Sequence, residues 1–270
     1  MEGHARRLIE NDPIAALPLD KLTRNAVAEW RKRIIARPVA PPKGKPKAKP
    51  RQRSAATINR ELGFIGAVLN FAKDSGLVTV DTWTANLRPL RVVDPAREVY
   101  IDRKQRAALV AALPADIAAL VRCMTLIPLR PGAVAALEAG DFDATKRTLH
   151  VRVDKAHADR KIPLPETTVA FLREQAKGKT PRAPLFPRED GRKLTKDDWK
   201  APVRDAVRKA KLPRETVLYS VRHSVISDAI AAGADVLTVA RISGTSLQMI
   251  QKFYGHLVGD RARDAMEKLA

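Results

Sequence analysis

The chain has 270 residues, with 50 Lys or Arg against 30 Asp or Glu, a formal net charge of +20 and a sequence pI near 10.5. That length holds one large domain or two ordinary ones, and a charge excess of this size points to a polyanionic partner more than to solubility alone. The single Cys123 excludes an intramolecular disulfide and a Cys-rich metal site, the opening Met1-Glu2-Gly3-His4 lacks the apolar core of a secretory signal, and no apolar run approaches a membrane span of about 20 residues.

Aromatic residues make up only 4% of the chain, so its core must come from Ala, Leu, Val and Ile, a composition that favours packed helices. Leu22, Val27, Trp30 and Ile34 share one face and predict a helix over residues 20–35. Residues 38–53 follow, rich in proline that forbids a helix and carrying Lys43, Lys45, Lys47, Lys49, Arg51 and Arg53. This stretch reads either as a solvated linker or as a loop that orders along a phosphate backbone, and its charge favours the second reading. Ser54 caps a second helix through Ile58, Leu62, Ile65, Leu69 and Phe71, with Arg60 on it and Gly76 at its end. Residues 81–97, with two prolines, read as an irregular connection, and a domain boundary is expected near Arg97. Up to Arg97 the chain has 19 basic and 9 acidic residues, net +10; beyond it 31 and 21, also net +10. A polyanion could therefore be gripped from two sides.

Past the boundary, Asp102 caps a helix that ends before Pro114, a second spans 116–126, and Pro131-Gly132 opens a third over 133–139. Residues 148–153 alternate like a strand, 155–160 read as a polar turn, and 161–164 as the returning strand. Helices are expected over 166–177, 195–210, 220–232, 236–242, 246–253 and 260–269. The predicted fold class is mainly α with one small antiparallel β-sheet: a helical domain over 1–97, and a mixed α/β domain over 98–270 that ends in a tail helix.

Three motifs carry chemistry. Arg130, in Leu129-Arg130-Pro131-Gly132, opens a helix in apolar surroundings. A cation is ill placed at that end unless it helps bind an anion there. Arg222 and His223, in Ser220-Val221-Arg222-His223-Ser224, again set basic groups at a helix start. Tyr254, one of three tyrosines, reads either as a core aromatic beside Ile250 and Phe253 or as a nucleophile. Phosphoryl transfer needs a placed nucleophile, cations on the non-bridging oxygens and an acid for the leaving oxygen. Arginine suits the second task, because its planar fork binds two oxygens and keeps its charge.

In this order the motifs resemble the tyrosine recombinase, or phage integrase, family, over about residues 98–259 and more loosely over 20–97, where Ser54-Ala-Ala-Thr-Ile-Asn-Arg60 matches best. The family pattern is an arginine in a Leu-Arg-x-Gly turn, a hairpin lysine, a His-x-x-Arg box, a Gly-His/Trp box and a tyrosine nine residues later. Arg130 matches the first arginine, Lys155 the hairpin lysine seven residues before Ile162, Arg222 the second arginine, and Gly244-Thr245 the Gly-His/Trp box. Tyr254 stands nine residues after Thr245. The resemblance implies a helical core-binding domain and a tyrosine-recombinase catalytic domain. It also implies attack by Tyr254 on a scissile phosphate, with Arg130 and Arg222 clamping its oxygens and Lys155 protonating the departing 5′ oxygen. Tyr219, Thr245 and His256 would complete the pocket, with neither metal nor nucleotide cofactor. Implied partners are double-stranded DNA attachment sites, a homotetramer on DNA from a monomer in solution, and an accessory directionality factor. The setting is the cytoplasm, with the nucleoid, of a bacterium or phage host carrying a mobile genetic element.

The chain departs from the pattern at Tyr219, where the family has histidine, at Thr245, where it has histidine or tryptophan, and at Ala133, where an acidic residue often follows. A phenol of pKa about 10 is a poor general base. His223 and His256 are therefore expected as accessory groups that take over the missing role. These departures and a short N-terminus leave open a degenerate or truncated integrase that binds DNA without cleaving it. An unrelated helical nucleic-acid-binding protein fits the charge but not the ordered motifs.

Overall fold

The computed structural model describes residues 6–39, 52–79, 81–91, 99–152 and 159–257. Contacts divide the chain into two units, Met1–Pro95 and Ala96–Ala270.

The first unit is built on helices α1 (Arg24–Ala36) and α2 (Ala55–Asp74). The start of α1 lies beyond the predicted one because Leu19–Lys21 wind as a 3₁₀ turn and Thr23, not Asp20, accepts a backbone bond, from Ala26 at 3.2 Å. Ser54 caps α2 as expected, accepting from Thr57 at 3.2 Å. Val27, Trp30 and Ile34 pack against Ile58, Leu62, Ile65 and Leu69, with Trp83 closing the cluster. Both buried indoles find acceptors, Leu8 O for Trp30 and Asn70 Oδ1 for Trp83. Phe71 is not part of this face: it is 70% exposed, because a residue two past Leu69 lies across the helix, and Ala72 takes the inner position.

Arg53 also departs from expectation. Its side chain is buried, pairs with Glu61, and donates to the carbonyls of Ile34 and of Arg37, the latter at 3.0 Å. A buried carboxylate needs such a partner. Arg53 therefore ties the start of α2 to the end of α1 and is not available to DNA. Arg60 is exposed, as a phosphate contact requires. Lys43, Lys45, Lys47, Lys49 and Arg51 lie outside the described residues.

In the second unit, α3 (Arg103–Ala111), α4 (Ala115–Leu126) and α5 (Pro131–Ala135) precede the sheet. An Asp102–Gln105 capping box starts α3. Helix α5 stops at Ala135, short of residue 139, and residues 139–141 form a separate 3₁₀ turn in which Asp141 accepts from the Glu138 amide at 2.8 Å. The antiparallel sheet runs β1-β2-β3: β1 (Phe142–Asp143), β2 (Thr148–Val151) and β3 (Arg160–Pro163), with Leu149 opposite Ile162 and Val151 opposite Arg160. The two-residue β1 is too short for alternation to reveal. Helices α6 (Glu166–Ala176), α7 (Lys196–Lys209), α8 (Leu218–Ala231), α9 (Val236–Ser243) and α10 (Leu247–Tyr254) follow. The predicted tail helix lies outside the described residues.

Two apolar clusters support this unit. The larger centres on α4, with Leu120, Val121 and Met124 fully buried against Leu129, Leu149, Val169 and Leu172. Cys123 sits there too, and burial pushes its thiol up to about 12. The smaller joins Ile226 and Ile230 of α8 to Val239, Ala240, Ile250 and Tyr254. Helix α8 contributes Leu218 and Val221 to the first cluster and Ile226 and Ile230 to the second. Among the described residues no helix is long and apolar enough to cross a membrane.

Candidate active site

Helix α8 organises the site. It opens at Leu218, two residues earlier than predicted, because the Ser220 hydroxyl accepts the Val217 amide at 3.1 Å. Arg222 follows one turn later, 5% exposed. Its Nη1 donates to Pro128 O at 2.5 Å and to Ser243 O at 2.9 Å, and its Nη2 to Thr245 Oγ1 at 2.5 Å. Bonds from a charged donor are the strong ones. Arg222 thereby links the turn that carries Arg130, two residues after Pro128, to the turn that carries Thr245. Arg130 is half-buried at the N-cap of α5, and its carbonyl accepts from Ala133 and Val134.

The Thr245 turn is shaped by Gly244, which ends α9 in the left-handed region at φ +67°. A Cβ on Gly244 would come within 2.7 Å of the Arg160 guanidinium. Arg160 was expected in a polar turn; it lies in β3, 8% exposed, and donates to Ile242 O at 3.2 Å and Ser243 O at 3.4 Å. Two guanidiniums thus meet the carbonyl end of α9, the pole where cations are favoured. The signal for Arg160 was present in the strand period: it stands in phase with buried Ile162, on the inward face.

Tyr254, the last residue of α10, is 6% exposed and packs in the smaller cluster. Its ring is a core aromatic, and its hydroxyl is 2.7 Å from His223 Nδ1. The two rings lie 4.8 Å apart, tilted by 34°. His256 is exposed on the following turn. Tyr219 is 57% exposed and lines a groove of about 670 Å³ between α5, α7 and the start of α8, floored by Trp199, Val203 and Leu218 and rimmed by Lys193, Lys196 and Lys200. Lys155 lies outside the described residues. The strands flanking it are held by a His150–Asp159 pair and by Arg152, which bonds Asp141 at 2.6 Å and Glu138 at 3.0 Å.

A second network fixes the back of α8. Asp228 accepts from Tyr100 at 2.7 Å and from Arg106 at 2.5 Å, while the Ile101 amide donates to Ser224 Oγ at 2.9 Å. The bond to Asp228 raises the Tyr100 hydroxyl above its ordinary pKa, keeping it a donor. In total the arrangement offers a fixed guanidinium with a hydroxyl beside it, a second arginine on the adjoining turn, and a phenol in contact with an imidazole. Such a set can hold a tetrahedral anion and present a nucleophile to it.

Comparison with known proteins agrees with this architecture. The profile of the Phage integrase family matches residues 100–259, and the chain belongs to that family. A tyrosine recombinase from Thermosipho africanus (strain TCF52B) is 24% identical over 145 residues, covering 52% of this chain and 50% of the relative, so the match spans about half that protein's length. Among solved structures, the Tn1549 transposon integrase in complex with transposon right end DNA superposes with a TM-score of 0.76 at 20% identity, covering 99% of this chain and 92% of that one. A lambda integrase dimer bound to a COC′ core site gives 0.68 at 15% identity, covering 94% and 85%. These structural likenesses are likenesses of fold.

Proposed function

We propose that the chain is a tyrosine-type site-specific recombinase that cleaves and rejoins double-stranded DNA through a 3′-phosphotyrosyl intermediate. The phenolic oxygen of Tyr254 attacks the scissile phosphorus, and the bond to the 5′ oxygen breaks, that oxygen taking a proton from Lys155. Arg130 and Arg222 neutralise the non-bridging oxygens as charge builds, and the Thr245 hydroxyl sits beside Arg222 as a further donor. The phosphotyrosyl bond conserves the energy of the broken one, so a 5′-hydroxyl from another strand reverses the step and exchanges strands. The observation that carries this reading is the convergence on α8: neighbouring residues Arg222 and His223 engage Thr245 and Tyr254, contributed by two later segments.

The two solved relatives, both bound to DNA, favour the same partner, as does the charge of +20. The first unit, with residues 38–52 and exposed Arg60, serves as the core-binding half, and the groove-rim lysines grip the backbone beside the cut. Assembly runs from monomer to tetramer on paired attachment sites within the nucleoid, with an accessory factor setting direction.

The test is covalent capture. A nicked duplex library with a randomised core is incubated with the full chain, and detergent-stable protein–DNA adducts are isolated and sequenced. Adducts that recur on one sequence and vanish in Tyr254→Phe support the reading. Tight binding to a recovered site without an adduct supports instead a DNA-binding protein that does not cut, a reading favoured by the burial of Tyr254.

A further inference from the structure

The geometry points to His223 as the catalytic base that takes the proton of Tyr254 during strand cleavage, an assignment that rests on the recombinase reading and completes it. A free phenol has a pKa of about 10, so at neutral pH nearly all of it is protonated and its attack on phosphorus needs an acceptor. Two positions of the pocket cannot serve. Tyr219 is itself a phenol and is exposed at the groove, and the Thr245 hydroxyl is an alcohol already engaged by Arg222. Lys155 is committed as a donor to the leaving oxygen.

His223 has what these groups lack. Its Nδ1 stands 2.7 Å from the Tyr254 oxygen, within the reach that proton transfer requires. An imidazole of pKa about 6.5 is mostly neutral at pH 7 and can accept. It follows Arg222 directly in α8, so phosphate clamp and base ride on one helix, itself fixed by Ser224 and Asp228. His223 is half-buried, while Tyr254 is buried against Ile250 and Ile230, so the shared proton lies away from bulk water.

The proton balance closes. Neutral His223 carries its hydrogen on Nε2 and accepts at Nδ1. The Tyr254 proton passes to Nδ1 as the phenolic oxygen bonds to phosphorus and the phosphorus–5′-oxygen bond breaks, the leaving oxygen being protonated by Lys155. On rejoining, the 5′-hydroxyl attacks, its proton returns to Lys155, and the imidazolium returns its own to the phenolate as tyrosine departs.

The experiment uses the full chain and the duplex recovered by covalent capture, made with an ordinary 5′ oxygen and with a bridging sulfur at the cut, a leaving group that needs no acid. His223→Ala is expected to form adduct about 10²-fold more slowly on both duplexes, with DNA affinity unchanged. Lys155→Ala is expected to be impaired on oxygen and restored on sulfur. Replacing Tyr254 by a fluorinated tyrosine, a more acidic phenol, is expected to restore much of the rate in the His223→Ala background. His223→Asn, a closer fit in volume, serves if the alanine variant does not fold. Adduct formation at or above the wild-type rate in the variants, or rescue of His223→Ala by sulfur, overturns the assignment while leaving the recombinase reading intact. No adduct from the wild-type chain overturns that reading, and the assignment with it.

Discussion

Arg222 and His223 are adjacent in α8, yet the structures they engage differ in kind. Arg222 reaches the larger cluster through Pro128, beside buried Leu129, and it also bonds two oxygens at the end of α9. His223 meets a tyrosine whose support is the smaller cluster of α8, α9 and α10. The difference teaches a division of labour. On the proposed reading, the group that holds the phosphate is fixed by backbone carbonyls, whereas the proposed nucleophile is seated in the smaller cluster with its hydroxyl against His223. Low local stability is where moving parts of a protein are drawn from.

The largest effect expected from breaking this contrast is at Arg222. Arg222→Ala removes the charged donor from the Pro128 carbonyl and leaves Ser243 O with only the longer bond from Arg160, and is expected to cost about 2–4 kcal/mol of stability and about 10³-fold or more in adduct formation. Denaturant melts and covalent capture read the two. Arg222→Lys is expected to recover little, since one ammonium cannot span three acceptors. Next come the clusters themselves. Leu120→Ala is expected to lower global stability by about 2–5 kcal/mol, whereas Ile250→Ala is expected to loosen α10 selectively, seen as faster amide exchange there with a smaller shift in Tm. Equal exchange across the unit in both variants would erase the contrast.

Gly244→Ala is expected to cost about 1–3 kcal/mol, combining a left-handed conformation with a clash against Arg160. Shortening Arg160 in that background should return the clash but not the backbone share. Smaller still, Lys196→Ala and Lys200→Ala are expected to leave Tm unchanged and to lower the salt slope of DNA binding by about 1 each. Arg53→Ala should do the reverse, destabilising the first unit without touching that slope. The least effect is at Asp198, which caps α7. Its bonds from the Thr195 side chain and backbone, with Arg188 beside it, hold its carboxyl below the ordinary 3.8. A carboxyl depressed in the folded state stabilises above its unfolded pKa, and that contribution is lost as pH falls through the folded value. Melts of wild type and Asp198→Asn should therefore differ most near neutrality and converge only well below about pH 4.

Much of this was legible in sequence because it is written in local rules. Helical spacing announced α1, α2 and α4, caps announced α2 and α3, and alternation announced β2 and β3. The order of Arg130, Arg222, Gly244-Thr245 and Tyr254 announced the family. What stayed hidden depends on partners distant in the chain. Arg53 looks like the end of a basic loop until Glu61 and the end of α1 are brought to it. Arg160 looks like a turn residue until the carbonyls of Ile242 and Ser243 close over it. His223 looked like one of two equivalent spare histidines; only the packing of α10 on α8 distinguishes it from exposed His256.

Cys123 has a practical consequence. It is the chain's one thiol, it lies fully within the larger cluster, and burial keeps it protonated. The native protein should thus be silent to thiol-reactive probes, and the slow labelling that does occur should report opening of that cluster. The same thiol therefore serves as a built-in clock for the larger cluster, and a cysteine placed near α10 would add a second clock for the smaller one.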